Sequence, residues 1–128
     1  QIAEKLLDLS LKKSFAHLAT LAPHGTPHVT PVWVDYDGQH VLVNSAKGRV
    51  KDRNMSRRPS VTLSIIDPDN PYRFLSVQGT VEDITEEGAR AHIDKLAQRY
   101  TGRETYSHRP GEVRRIYKIR PEHIITNG

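Results

Sequence analysis

Cysteine is missing from all 128 residues, which removes disulfides, thiolate metal sites and cysteine nucleophiles together. Long apolar runs are missing as well. No stretch approaches the ~18 consecutive apolar residues of a membrane-crossing helix, so no membrane span is expected. Aromatic residues make up only 6% of the chain, with one tryptophan, and hydrophobic residues 36%. The mean hydropathy is −0.61, lean for a fold that must bury its own core. Small domains hide a modest fraction of their surface, so a second subunit covering apolar faces, a homodimer, is expected. The length allows one domain, over 1–128, with a real core. The first residue is Gln1 rather than Met, and a cytoplasmic setting is the expectation.

What the chain has is positive charge. The net charge is +4 and the pI about 9.5, a balance that favours an anionic partner. Most of it is local. Between Lys47 and Arg58 lie Lys47, Arg49, Lys51, Arg53, Arg57 and Arg58, opposed only by Asp52. Three readings suit such a run: a solvated basic face, a nucleic-acid surface, or a site for a small-molecule phosphate. Scarce aromatics and the lack of a nucleic-acid motif weigh against the second. Arg49, Lys51 and Arg53 are spaced by two and cannot share a face of a helix. If the segment instead starts as a turn at Gly48 and then becomes helical, Arg49 and Lys51 converge beside free backbone N–H groups. That is an arrangement that binds phosphate.

Around this segment the pattern is mostly extended. Residues 2–11 place Ile2, Leu6, Leu7 and Leu9 near helical spacing. FAHLATL (15–21), HVTPVWVDY (28–36), HVLVNS (40–45), SVTLSII (60–66), YRFLSVQGTVEDI (72–84) and EVRRIYKI (112–119) read as six strands, joined mostly by turns. Pro31 inside the second predicts a sheet edge, a bulge or backbone open to a ligand, and Gly79 predicts a barrel-corner bend. Thr85 before Glu86 and Glu87 predicts a helix start, with Ala89, His92, Ile93, Leu96, Ala97 and Tyr100 on one face up to Gly102. The fold class is therefore mainly β (α+β): a six-stranded antiparallel small barrel with three peripheral helices. The seven histidines are scattered. His24 and His28 flank a turn without a carboxylate or third ligand, so no metal site is expected. His92 reads as a packed residue. No ordered Ser/His/Asp set or acid–base pair is evident, and no catalytic side chain is assigned.

The order FAHLATLAPHGTPHVTPVWVDYDGQHVLVNSAKGRVKDRNMSRRPSVTLSI, followed by LSVQGTVEDI, resembles the split β-barrel superfamily that includes pyridoxamine-phosphate oxidase. The likeness covers about residues 14–120. RVKDRNMSRRP is most similar to the branch that uses coenzyme F420, a deazaflavin with a phosphodiester and a polyglutamate tail. FMN-using relatives place a serine–arginine–lysine cluster at the same strand end.

The resemblance implies a homodimer and a set of cofactor contacts. Ser45 would be a polar contact, and Arg49 and Lys51 the pair that holds phosphate. Arg53 and Asn54 follow them, Asn54 as brace or contact. Thr30, Pro31, Val32 and Trp33 would lie along the ring system, chiefly through backbone. Tyr72, Arg73 and Phe74 would approach a cofactor across the dimer. Trp33 is also readable as core packing, and Tyr72 and Phe74 as barrel filling. The implied activity is hydride transfer from reduced F420 to a small electron-poor organic substrate. The alternatives are an FMN-dependent oxidase or reductase and a non-catalytic F420 or flavin carrier. The loop 103–111 and the turn 67–71 are the expected substrate walls.

Overall fold

Trp33 and Asp35 are separated by one residue, yet they pair on opposite margins of the same sheet. The structure, a computed structural model, describes residues 2–127. Gln1 and Gly128 of the expected domain lie outside the described residues, as does the side chain of Ile2. The elements are α1 (Ile2–Leu11), β1 (Phe15–Leu21), β2 (Pro27–Trp33), β3 (Asp35–Tyr36), β4 (Val41–Ala46), α2 (Val50–Arg57), β5 (Ser60–Asp67), β6 (Asn70–Thr85), α3 (Ala89–Thr101) and β7 (Arg114–Asn127). The strands form one sheet in the order β2-β1-β5-β6-β7-β4-β3. All pairings are antiparallel.

Two consecutive Cα atoms are only about 3.8 Å apart. Because β2 and β3 are nearly contiguous in the chain, the two margins of the sheet must come together. The sheet therefore curls into a half-barrel. Alternate residues of β1 and β5 point inward, as their period-2 pattern predicts. Leu18, Val34, Val43, Leu63, Ile65, Leu75, Val77, Tyr117 and Ile119 fill the interior with Met55 of α2 and Leu9 of α1. A second cluster, Ile93, Leu96 and Tyr100 of α3, packs outside with Trp33 and Tyr106.

Two sequence expectations need correction. The six-strand count becomes seven because the run 28–36 changes partner at Val34. There the Val34 N–H donates to the Tyr100 hydroxyl at 3.2 Å, and that hydroxyl donates to the Ser14 carbonyl at 2.6 Å. One tyrosine thus satisfies backbone that neither ladder can reach. The helix expected from Thr85 begins at Ala89, after Gly88 with φ 73°. Thr85 is still paired with Ile116 at the end of β6, and its hydroxyl accepts from the Glu87 N–H at 3.2 Å. Strand pairing overrides the local capping signal.

The bend expected at Gly79 coincides with a register shift between Gln78 and Gly79 opposite β7. A Cβ there would lie 2.4 Å from the Arg120 carbonyl oxygen and 2.9 Å from Ile119 Cγ2. Gly79→Ala should therefore destabilise the fold by about 1–3 kcal/mol, the usual range for overpacking. In urea titration the midpoint should fall at unchanged slope; an unchanged midpoint would mean that β7 moves aside freely.

Candidate functional site

The basic segment leaves β4 at Ala46, turns at Gly48 with φ 93°, and enters α2 with Arg49 in extended conformation at its N-cap. The turn is held by a buried carboxylate. Asp52 Oδ2 accepts the Gly48 N–H at 2.9 Å. Its Oδ1 accepts the Tyr117 hydroxyl at 2.5 Å and Arg115 Nη1 at 3.1 Å. Burial alone would push the Asp52 carboxyl up; the Gly48 N–H, Tyr117 and Arg115 outweigh it and hold it below the usual carboxylate range. Burial, with the Asp52 charge adding to it, drives the Tyr117 hydroxyl upward in turn. The Gly48 N–H is therefore taken by Asp52 and does not add to the free backbone N–H groups expected at the helix start. The first N–H groups of α2 still have no partner within the helix.

With the turn fixed, Arg49 and Lys51 line one cavity of about 170 Å³ together with Pro31, Val32, Trp33, Asn44, Tyr106 and Arg114. Arg114 is brought there by the pairing of Ala46 with Arg114 at the end of β4. Glu112 lies 3.3 Å from Arg114 and 4.0 Å from Arg49. Lys51 has no carboxylate partner among the described residues. Its ammonium is pushed down, first by burial and then by the positive charges of Arg49 and Arg114. Three cations thus share one partly dry pocket with a single nearby carboxylate, an arrangement an anion would relieve.

A larger cavity of about 560 Å³ adjoins the first and shares Trp33, Arg49 and Tyr106 with it. Its outer wall is the loop from Arg103 to Arg109, as expected. The turn 67–71 lines neither cavity; Asp67 is instead bound by Lys12 and Arg73. Aromatic rings line the junction. Trp33 stacks on Tyr100 at 5.2 Å, Tyr106 meets Trp33 edge-on at 5.9 Å, and the Arg114 guanidinium lies 5.0 Å over the Tyr106 ring. Trp33 is therefore both packing residue and cavity wall.

Of the residues singled out from sequence, Pro31, Val32, Trp33, Arg49 and Lys51 come together. The others stand elsewhere. Ser45 is buried beside Arg115, its hydroxyl without a partner among the described residues. Thr30 likewise has a buried hydroxyl with no partner among the described residues. Arg53 donates to the Gly48 carbonyl at 3.0 Å and so buttresses the turn. Asn54 donates to the Thr20 hydroxyl at 3.1 Å, the bracing role. Tyr72, Arg73 and Phe74 line neither cavity; Tyr72 is 79% exposed and Arg73 is bound to Asp8 and Asp67. Sequence reading missed Asn44, Tyr106 and Arg114, whose only local signals are a polar residue in a strand, a lone loop aromatic and a strand cation. Among the described residues no group of His, Asp or Glu could hold a metal ion, and no helix is long and apolar enough to cross a membrane.

Comparison with known proteins gives consistent matches. The sequence profile of the pyridoxamine 5'-phosphate oxidase family matches residues 2–128. A solved structure described as an F420 reductase is 38% identical, with 92% of this chain and 94% of that chain covered and a TM-score of 0.81. A putative pyridoxamine 5'-phosphate oxidase from Listeria innocua is 21% identical over 98% of both chains, with a TM-score of 0.72. General Stress Protein 26 from Bacillus anthracis is 17% identical over 98% of this chain and 93% of that one, with a TM-score of 0.73. The last two share the fold.

Two outcomes follow from this geometry. Lys51→Ala should weaken binding of a phosphate-bearing ligand by roughly 1.5–3 kcal/mol, the range for a hydrogen bond to a charged group. Arg57→Ala, at the exposed far end of α2, should do much less; equal losses in a fluorescence titration would indicate a diffuse patch. Asp52 has a depressed folded pKa, so its stabilisation is complete above the unfolded value of about 3.9 and is lost as pH falls through the folded one. Urea midpoints of Asp52→Asn should accordingly be lower than those of the native chain at neutral pH and converge with them in acid.

Proposed function

The chain belongs to the pyridoxamine 5'-phosphate oxidase family, and from that membership we propose that it is a coenzyme F420-dependent reductase acting on a small, planar, electron-poor organic substrate. The observation that carries the reading is the pocket in which Lys51 stands unneutralised between Arg49 and Arg114, against the wall made by Trp33. The 38% identity to a structure described as an F420 reductase supports the choice of cofactor.

The residues fit such a group. Arg49, Lys51 and Arg114 would hold its phosphodiester, and Lys47, Arg53, Arg57 and Arg58 extend positive charge beyond one phosphate towards a polyanionic tail. Among the described residues β2 pairs with β1 alone, so its outer backbone edge, with Pro31 and Val32, would be open to a ring system. When bound, the reduced deazaflavin supplies a hydride to the substrate. The protein's part is to orient and to exclude water. Trp33 and Tyr106 offer flat apolar faces at the junction of the cavities, and the loop at 103–109 closes the larger one. Its volume lies within the ~300–1,000 Å³ usual for small-molecule sites. Tyr72, Arg73 and Phe74 would reach a cofactor only from a second copy of the chain, which is why we propose a homodimer.

Titrating the protein with F420 and with FMN at two salt concentrations tests the cofactor. F420 should bind more tightly, with an advantage that grows at low ionic strength and with longer glutamate tails. A tighter, salt-insensitive FMN complex would assign the chain to flavin, and tight F420 binding without turnover of any artificial acceptor would make it a carrier. Light scattering should give a dimer at micromolar concentration; a monomer that binds the cofactor would remove the assembly proposal.

A further inference from the structure

A buried polar chain runs behind the cationic pocket. Asp35, on the short strand β3, accepts from His92 Nε2 at 3.1 Å and from Arg99 at 3.2 Å, with Lys95 at 3.5 Å. His92 Nδ1 lies 3.1 Å from Asn44 Nδ2. Asn44 Nδ2 also donates to the Ala89 carbonyl at 2.9 Å, and Asn44 Oδ1 accepts from Arg114 Nε at 2.9 Å. The side chains of Asp35, His92 and Arg114 are 7%, 9% and 4% exposed.

The donors and acceptors in this chain leave no freedom. The Ala89 carbonyl can only accept and the Arg114 Nε–H can only donate, so the Asn44 amide is fixed in one orientation. Its Nδ2 then faces His92 Nδ1, which must be the bare, accepting nitrogen, while Nε2–H donates to Asp35. His92 is thus neutral in this arrangement. A second proton would place N–H against N–H₂. The amide could accept it only by turning over, and that forfeits both the Ala89 bond and the Arg114 bond.

We propose that His92 and Asn44 are positioning residues for the cationic pocket, the proton on His92 deciding through the Asn44 amide whether Arg114 is held at the anion site. The proposal rests on reading that pocket as an anion site. The charged groups around His92 are Asp35 from β3, Lys95 and Arg99 from α3, and Arg114 from β7 with Glu112 beyond it. Simple addition of a positive charge would strengthen anion binding in acid. Release of Arg114 weakens it. The two mechanisms therefore differ in sign.

The test uses the full chain and sulfate, whose charge is constant across the range. Nitrogen NMR should show His92 protonated at Nε2 near neutral pH, and the Arg114 Nε–H resonance should shift with the same midpoint as His92. Sulfate affinity should fall about tenfold as His92 titrates, a typical size for coupling between sites. His92→Gln supplies the same donor to Asp35 and acceptor to Asn44 without titrating, and should restore binding without the pH dependence. His92→Leu should bind weakly throughout, with thermal melts to check that it folds. Separate midpoints for His92 and Arg114, affinity that rises in acid, or an unchanged pH profile in His92→Gln would each overturn the proposal. A parallel F420 titration separates the two readings: the expected sulfate behaviour without F420 binding would retire the cofactor and leave this inference standing.

Discussion

Asp52 is a carboxylate taken out of water and surrounded by donors from three places in the chain: the Gly48 N–H, the Tyr117 hydroxyl and the Arg115 guanidinium. A buried charge survives only when its lone pairs are met, so each of these donors is required by the others. The consequence is geometric. Gly48 is held in the left-handed region, α2 starts at a set distance from β7, and Arg49 and Lys51 leave the turn on the side of Trp33. The cations of the site are placed by an anion that lines neither cavity.

The buried carboxylates and the cationic pocket are treated differently. The buried carboxylates Asp35, Asp52 and Asp67 are each met by several donors. Lys51, partly buried, has no such partner among the described residues. Folding has spent its carboxylates on architecture and left one basic cluster short of them. That imbalance distinguishes the pocket from an ordinary solvated basic face. The curl of the sheet does the rest, since it brings the outer edge of β2 beside the ends of β4 and β7, and Tyr100 satisfies the strand break that the curl creates at Val34.

The sequence by itself determined a good deal, wherever the signal is local. Period-2 alternation marks β1 and β5, Gly79 marks the bend, and the run from Lys47 to Arg58 marks the densest positive charge. The order of these pieces carried the family resemblance, and with it Pro31, Val32, Trp33, Arg49 and Lys51. Tertiary structure decided what depends on meetings between distant segments. Thr85 carries a capping signal but stays in β6 because Ile116 pairs with it. HVTPVWVDY reads as one strand but splits because its ends belong to opposite sheet margins. Arg114, Asn44 and Tyr106 carry no local mark, because a strand cation, a strand amide and a loop aromatic become a site only when pairing and curl bring them together. Spacing along the chain fixes which way a side chain points; only the closed sheet fixes what it points at.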